Sequence, residues 1–356
     1  MQKVRLRADC VFYLQPNIFY AIIEHMQRQK VEPRTLKGFS DLGRKQTVVR
    51  DELFSKIKEI FVRYGFLPIE TPTLEYRDIL MNKIGEDEKL IYSFTDHGDR
   101  EVAMRYDLTV PMARYVAQNM GTITFPFKRY QMQPVWRADN TQKGRSREFY
   151  QCDVDIVGSD SLTAEVEVIN CLLSTLDNIG LNNSVVRISD RRLFNGFASR
   201  LSGGADMVVS LIRLVDKVYK KDNDALIEEA REHYAFFEQD CVILENVLEF
   251  IRNNKPLSEL SDIVEVDQHV EATLEYIIDQ VETNGFEGRI RFDLGITRGL
   301  DYYSATVWEI FIKDESLAIG CGGRYDKLLE SFSDTGKPAV GGFGATTTSE
   351  PSPGSA

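Results

Sequence analysis

The stretch best equipped for chemistry is RADNTQKGRSREFYQCDVD, residues 137–155. It reads as two strands around a polar turn that carries Lys143, Gly144, Arg145 and Arg147. In the second strand, residues 149–157, alternation puts Tyr150, Cys152, Val154 and Ile156 on one face and Gln151, Asp153 and Asp155 on the other. A polar row fed by an arginine-rich loop suits the grip of a charged polar ligand, although a solvated hairpin alternates in the same way. Three further clusters stand out: RYDLT at 105–109, TRGLDYY at 297–303 and GCGGRYD at 320–326. None is a Walker A or GxGxxG loop, so arginines are the available phosphate ligands. A guanidinium fork matches phosphate oxygens and keeps its charge at any working pH. Acidic groups nearby can take an amino group, an imidazole or Mg2+. Each cluster also has a plainer reading. RYDLT can be a helix cap, GCGGRYD a tight turn before a helix containing Leu328 and Leu329, and TRGLDYY a loop closed by core tyrosines.

Positioning these clusters takes a mixture of elements. Residues 48–64 read as an amphipathic helix, because Leu53, Phe54, Ile57, Ile60, Phe61 and Tyr64 recur at helical spacing and Gly65 stands at the stop. The following GFLPIETPTLEYRD is extended, and Pro68 and Pro72 confine it to an edge or interface strand. Residues 105–119 run from a strand end into a helix, with Asp107 and Thr109 at its start and Pro111 in its first turn. Residues 162–176 give another helical pattern. The region from about 195 to 285 is strongly charged and helical in period, which predicts a separate helical insert. Alternation returns at Ile290, Phe292 and Leu294, and again with Tyr303, Ala305, Val307 and Glu309 opposite Ser304, Thr306, Trp308 and Ile310. Strands and helices without a regular βαβ rhythm predict an α+β fold on an antiparallel sheet. The terminal GGFGATTTSEPSPGSA is rich in Gly, Ser, Thr and Pro and reads as a disordered tail.

Composition narrows the function. The chain has 356 residues, 43% hydrophobic and 28% charged, which is ordinary for a globular protein of one large domain or two smaller ones. A net charge of -12 argues against a generic nucleic-acid coat while leaving room for a local basic patch. Five scattered cysteines without a CxxC favour a reducing compartment, and four scattered histidines give no zinc pattern. No apolar run is long enough to span a membrane. The N-terminus has Lys3, Arg5 and Arg7 but no secretory h-region, and is expected to be a short extension or a helix packed on the main domain.

Taken in order, the clusters resemble the histidyl-tRNA synthetases, a class II aminoacyl-tRNA synthetase family, and look closest to its eukaryotic-type branch. The resemblance runs from about Lys37 to Gly342. KGFSD at 37–41 is similar to the family's N-terminal signature, GFLPIETPTLE to motif 1, which builds the dimer interface, and residues 135–156 to motif 2. RGLDYY and GGRYD resemble the two histidine-specific signatures, which other class II enzymes lack. The resemblance implies a class II catalytic fold interrupted by a helical insertion domain. The expected divisions are an extension at 1–36, catalytic segments at 37–194 and 286–344, the insert at 195–285 and a tail at 345–356. It implies that Asp107 and Gln151 bind the α-amino group of histidine, and that Asp155 and Tyr303 line an imidazole pocket with Tyr302 beside them. Arg137 would hold the ATP α-phosphate and the substrate carboxylate, Arg145 the β- and γ-phosphates, and Arg298 the α-phosphate from the opposite side. Gly322 and Gly323 would let backbone approach the substrate, and Tyr325 would line the site. The implied activity is ATP-dependent histidine–tRNA ligation, with Mg2+ on the leaving pyrophosphate, tRNA(His) as acceptor, a homodimeric assembly and a cytoplasmic location.

The C-terminus departs from the family. After KPAVGGFG the family continues into motif 3, a strand and helix with an ATP-clamping arginine; here Gly344 is followed by ATTTSEPSPGSA, and no arginine follows Arg324. The family's anticodon-binding domain is expected to be absent. The expectation is a weakened ATP site and a sheet one strand short, with exposed ladder groups unless another element covers them. Two other readings are a non-catalytic histidine-binding relative, such as the regulatory subunit of ATP phosphoribosyltransferase, and a synthetase-like regulatory module that binds tRNA. Arg298 and the arginines of the hairpin weigh against the first, and the intact substrate-binding residues against the second.

Overall fold

Two alternating strands lay the floor on which the rest is built. Strand β7 (Phe127–Trp136) and β8 (Glu148–Val157) pair antiparallel, with Arg129 opposite Asp155, Gln131 opposite Asp153 and Gln133 opposite Gln151. The polar parity predicted for β8 is therefore matched by a polar parity on β7. The computed structural model describes residues 2–6, 10–14, 31–81, 89–140, 146–297, 302–313, 318–334 and 336–346. Residues up to Asp41 form one unit and those from Leu42 onward another. In the first unit, β1 (Gln2–Leu6) and β2 (Cys10–Leu14) make an antiparallel pair, where the sequence suggested only an extension or a helix.

In the second unit, helix α1 (Arg44–Arg63) starts where the Gln46 side chain accepts the Gly43 N–H at 2.9 Å. It stops at Gly65, whose φ of 79° lets the chain leave the helix, as expected of a glycine there. Strand β3 (Leu67–Pro68) is a two-residue edge strand, consistent with its proline. Strands β4 (Leu74–Tyr76), β5 (Ser93–Thr95) and β6 (Glu101–Met104) form a small sheet in the order β4-β6-β5, and α2 (Arg77–Leu80) is a single turn. Helix α3 (Thr109–Asn119) follows, then β7 and β8, α4 (Thr163–Asn178) and β9 (Ser184–Asp190). Next come α5 (Ala205–Val215), α6 (Asn223–Tyr234), α7 (Glu238–Arg252) and α8 (Gln268–Val281), in the region read as a helical insert. Strands β10 (Ile290–Phe292), β11 (Thr306–Ile312), β12 (Ala318–Arg324) and β13 (Ala339–Thr346) complete the main sheet.

That sheet has eight strands in the order β10-β9-β11-β12-β13-β8-β7-β3. All inner pairs are antiparallel, while β10–β9 and β3–β7 at the two edges are parallel, so the sheet is mixed rather than purely antiparallel. Two expectations are corrected here. Residues 341–346 are not tail; with Ala339 and Val340 they form β13, wedged between β12 and β8. The sheet therefore has no gap at this position, and the ladder groups of β8 and β12 are paired. Composition misled because a glycine-rich strand needs no side chains of its own when helices and strands on both sides supply the burial. Second, the alternation read from Tyr303 begins as strand only at Thr306, leaving Tyr302 and Tyr303 in the preceding loop.

The sheet separates two apolar clusters. On one face Cys152, Val154, Ile156, Val340, Trp308 and Ile188 pack with Ile169 and Leu172 of α4 and Ile57 and Phe61 of α1. The core of the helical region, including Leu211, Leu244 and Leu274, is continuous with this cluster. Each such fully buried aliphatic side chain contributes about 1.5–3 kcal/mol. The other face carries Val157, Val307, Tyr302, Tyr303 and Tyr325 with Val110, Met112 and Val116 of α3. This second face holds the polar row.

Candidate active site

The row Gln151–Asp153–Asp155 lies on the α3 side of β8, and all three residues are buried. Gln151 is fully buried, and neither its amide oxygen nor its amide nitrogen has a hydrogen-bond partner. Oδ1 of Asp153 is likewise buried without one. Buried polar groups are normally satisfied, so a row of unmet donors and acceptors on one sheet face marks a place where a ligand completes the bonds. Arg129, fully buried on β7, lies 2.7 Å from Asp155 and 4.0 Å from Asp153. It also donates to Gln131 Oε1 at 3.2 Å and to the Leu108 carbonyl at 3.4 Å. Burial pushes the Asp153 carboxyl well above the usual range, with Arg129 opposing. Asp155 is pushed up by burial too, against Arg129 and the hydroxyl of Tyr325, which donates to its Oδ1.

Asp107 reaches the same face from the loop between β6 and α3. Its Oδ1 accepts the Val110 N–H at 3.1 Å in the first turn of α3, although the N-cap position itself is Leu108, and its Oδ2 accepts from the Tyr302 hydroxyl at 3.4 Å. Burial raises the Asp107 carboxyl from its ordinary value, opposed by the Val110 N–H and by Arg137. Arg105 of the same cluster plays a bracing part. Its guanidinium donates to the Thr71 and Pro134 carbonyls at 2.6 and 2.8 Å, and burial brings it down to about 10.

Tyr302, Tyr303 and Tyr325 form the aromatic wall. Their ring centroids are 4.8 Å apart for Tyr302–Tyr303, 5.9 Å for Tyr302–Tyr325 and 6.4 Å for Tyr303–Tyr325. Glycines make room for this wall. A Cβ on Gly323 would stand 2.7 Å from the Tyr303 ring, and one on Gly341 would stand 2.5 Å from the Asp155 carboxyl carbon. Gly322 faces the other way: its Cβ would meet the Trp308 ring at 2.6 Å, on the face covered by α4. The glycines of GCGGRYD lie in strand β12 and not in a tight turn. Arg324 of the same cluster faces away from the polar row, gripping Glu165 of α4 through two bonds of 2.6 Å.

Arg137 leaves the end of β7 with its Nε–H on the Tyr106 carbonyl at 3.1 Å and its guanidinium 4.2 Å from the Tyr106 ring centroid. Its Nη2 is buried without a hydrogen-bond partner, which fits an anion acceptor arriving there. Arg145 and Arg298, the other two expected phosphate ligands, lie outside the described residues. Of the remaining sequence-derived site residues, the structure brings Asp107, Gln151, Asp155, Tyr302, Tyr303 and Tyr325 around one sheet face. Sequence reasoning passed over Arg129 and Gly341, and gave Asp153 no role. The signal for Arg129 was present in FKRYQMQP, where Arg129, Gln131 and Gln133 share one parity. Tyr302 and Tyr303 also line a separate cleft of about 580 Å3 with Arg191, Arg192, Asn195 and Lys327. Neither Arg137 nor any member of the polar row borders it.

A mixed sheet with helices packed on it, carrying this row on one face, is the class II aminoacyl-tRNA synthetase architecture. The family profile of histidyl-tRNA synthetase matches residues 38–346, and the chain belongs to that enzyme family. It is 38% identical over 328 residues to the histidine–tRNA ligase of Treponema denticola, covering 89% of this chain and 71% of that protein. The crystal structure of histidyl-tRNA synthetase from Nostoc sp. PCC 7120 superposes with a TM-score of 0.75 at 27% identity, covering 88% of this chain and 74% of that one. A Bacillus halodurans structure described as an ATP phosphoribosyltransferase regulatory subunit/histidyl-tRNA synthetase shares the fold at a TM-score of 0.74 and 22% identity, over 89% of this chain and 82% of that one. These relatives are bacterial and do not speak for the eukaryotic-type branch suggested by the motifs.

Proposed function

We propose that this chain activates histidine with ATP and passes the histidyl group to tRNA(His). The observation that carries the reading is the unmet amide of Gln151, set beside Asp155 and the tyrosine wall. Gln151 and Asp107 take the α-amino group, and Asp155 with Tyr303 and Tyr325 takes the imidazole. A site built to hydrogen-bond both ring nitrogens rejects analogues that lack them by on the order of 10⁴. Arg137, with Arg298 opposite, clamps the α-phosphate while the histidine carboxylate attacks and pyrophosphate leaves. Arg145 steadies the β- and γ-phosphates. The protein supplies position and charge rather than covalent chemistry. Mg2+ enters bound to ATP; among the described residues no group of three His, Cys, Asp or Glu side chains is placed to hold a metal on its own.

Several features support the wider reading. Leu67, Leu74, Tyr76 and Phe94 are exposed on or next to the motif 1 segment and suit a homodimer interface. Arg191, Arg192 and Lys327 in the 580 Å3 cleft suit phosphates of the tRNA acceptor arm. The division into two catalytic segments around a helical insert at 195–285 belongs to the same proposal. No described helix is long and apolar enough to cross a membrane, and Cys152, Cys171, Cys241 and Cys321 are free thiols, as suits a reducing cytoplasm.

Histidine-dependent ATP–pyrophosphate exchange by the purified chain tests the proposal. Exchange is expected, and Arg298→Ala is expected to abolish it while leaving histidine binding by calorimetry largely intact. Normal exchange by that variant would remove Arg298 from the α-phosphate. Histidine binding with no exchange would turn the reading toward a non-catalytic histidine-binding relative.

A further inference from the structure

We propose that Arg129 is a positioning residue for histidine recognition: its buried guanidinium keeps Asp155 as the ionised carboxylate facing the imidazole, and leaves the neighbouring Asp153 as the carboxyl that holds a proton. The inference rests on the histidine-activation reading and assigns a residue that the sequence motifs do not.

Geometry carries it. Arg129 has no exposed surface, and it sits on β7 directly opposite Asp155 in the strand register. It lies 2.7 Å from Asp155 and 4.0 Å from Asp153, so the single cation is shared unequally between two buried carboxylates. Two carboxylates this close in a dry site do not both ionise readily; the one nearer the cation keeps the charge. The Tyr325 hydroxyl donates to the other oxygen of Asp155 and reinforces the same choice. Asp153 Oδ1 and Asp155 Oδ2 are both buried without a hydrogen bond, but Asp155 Oδ2 has the Arg129 guanidinium at 2.7 Å. Burial raises both carboxyls; at Asp155 it is opposed by Arg129 and the Tyr325 hydroxyl, whereas at Asp153 the neighbouring charges of Asp155 and Asp107 add to it. Other charged groups facing the pair are Asp107, from the start of α3, and Arg137, from the end of β7. Arg129 is the cation paired with Asp155, so it decides the state of that carboxyl. Arg129 is itself fixed from three sides, by Gln131, the Leu108 carbonyl and Asp155. The Leu108 bond ties it to the turn that carries Asp107, so one guanidinium aligns both acidic ends of the histidine site.

The test is the pH dependence of kcat/KM for histidine in the exchange reaction, with wild type showing exchange as the prerequisite. The titration of the substrate's own imidazole is common to all variants, so differences between them report the protein. Arg129→Gln is expected to raise the histidine KM at least about tenfold, with the ATP KM within about twofold, and to move the acid limb to higher pH by about one unit or more. Arg129→Lys keeps a cation without the fork and is expected to bring the limb back most of the way. A folded Arg129→Gln with the wild-type limb, or one in which histidine and ATP KM rise equally, would overturn the proposal. Should Arg129→Gln fail to fold, Asp153→Asn decides, because it retains the Arg129–Asp155 pair. Its limb is expected to stay in place or move to lower pH, and a limb moved upward would overturn the unequal sharing. Absence of exchange by the wild-type chain would instead count against the activation reading itself.

Discussion

Gly341→Ala should damage histidine activation and stability together, and the sheet geometry sets the size of both effects. A Cβ at position 341 would sit 2.5 Å from the Asp155 carboxyl carbon and 2.9 Å from the Val154 carbonyl, where ordinary contact begins near 3.4 Å. The Asp155 Oδ1 would be closer still, so the carboxyl must move by more than about 1 Å or the strands must part. It cannot move freely, because Arg129 lies 2.7 Å away and the Tyr325 hydroxyl donates to it. Forcing one methyl into such a place costs about 1–3 kcal/mol, and misplacing a recognition group by about 1 Å lowers kcat/KM by roughly 10²-fold. Pyrophosphate exchange measured against histidine concentration, beside a thermal melt, reads both quantities. Gly342→Ala is the comparator. Its Cβ meets the Leu172 side chain of α4 at 2.7 Å on the opposite face, so its melting temperature should fall while its histidine KM stays within about threefold of wild type. A Gly341→Ala protein that melts like wild type with an unchanged histidine KM would refute the seating of Asp155 against this glycine.

Two further substitutions probe buried charge. Asp153→Asn should stabilise the protein at neutral pH. The folded carboxyl is held well above its ordinary value of 3.8, so the unfolded chain gives up that proton first and stability falls as pH rises between the two values. The gain should shrink as pH drops toward about 4; urea unfolding at several pH values, showing no gain at pH 7.5, would contradict it. Arg324→Met should cost about 3–5 kcal/mol, because it strands the fully buried Glu165 without its two 2.6 Å bonds. Adding Glu165→Gln should recover much of that loss, and a double variant no more stable than the single one would show that packing, not the stranded charge, sets the penalty.

Why some of this site could be read from the chain and some could not follows from where each side chain gets its meaning. Period-two alternation on β8 is local, so Gln151, Asp153 and Asp155 separated from Tyr150, Cys152 and Val154 without knowledge of any partner. Helix α1 and its glycine stop were legible for the same reason. The meaning of Arg129 is not local: in FKRYQMQP it looks like an ordinary basic residue, and only its register opposite Asp155 turns it into the counter-charge of the site. Gly341 is the sharper case. Its segment reads as a tail, because a run of glycines offers no apolar side chains to bury. Its role comes from the two strands it lies between, one bringing Asp155 against it and the other pairing it with Gly323 beneath the Tyr303 ring. Gly323 of β12 and Gly341 of β13 are thus the condition for a buried carboxylate and an aromatic wall to share one sheet face. A substituent there would have to displace one of the two, and for that reason a segment poor in side chains carries as much of the recognition geometry as the charged row beside it.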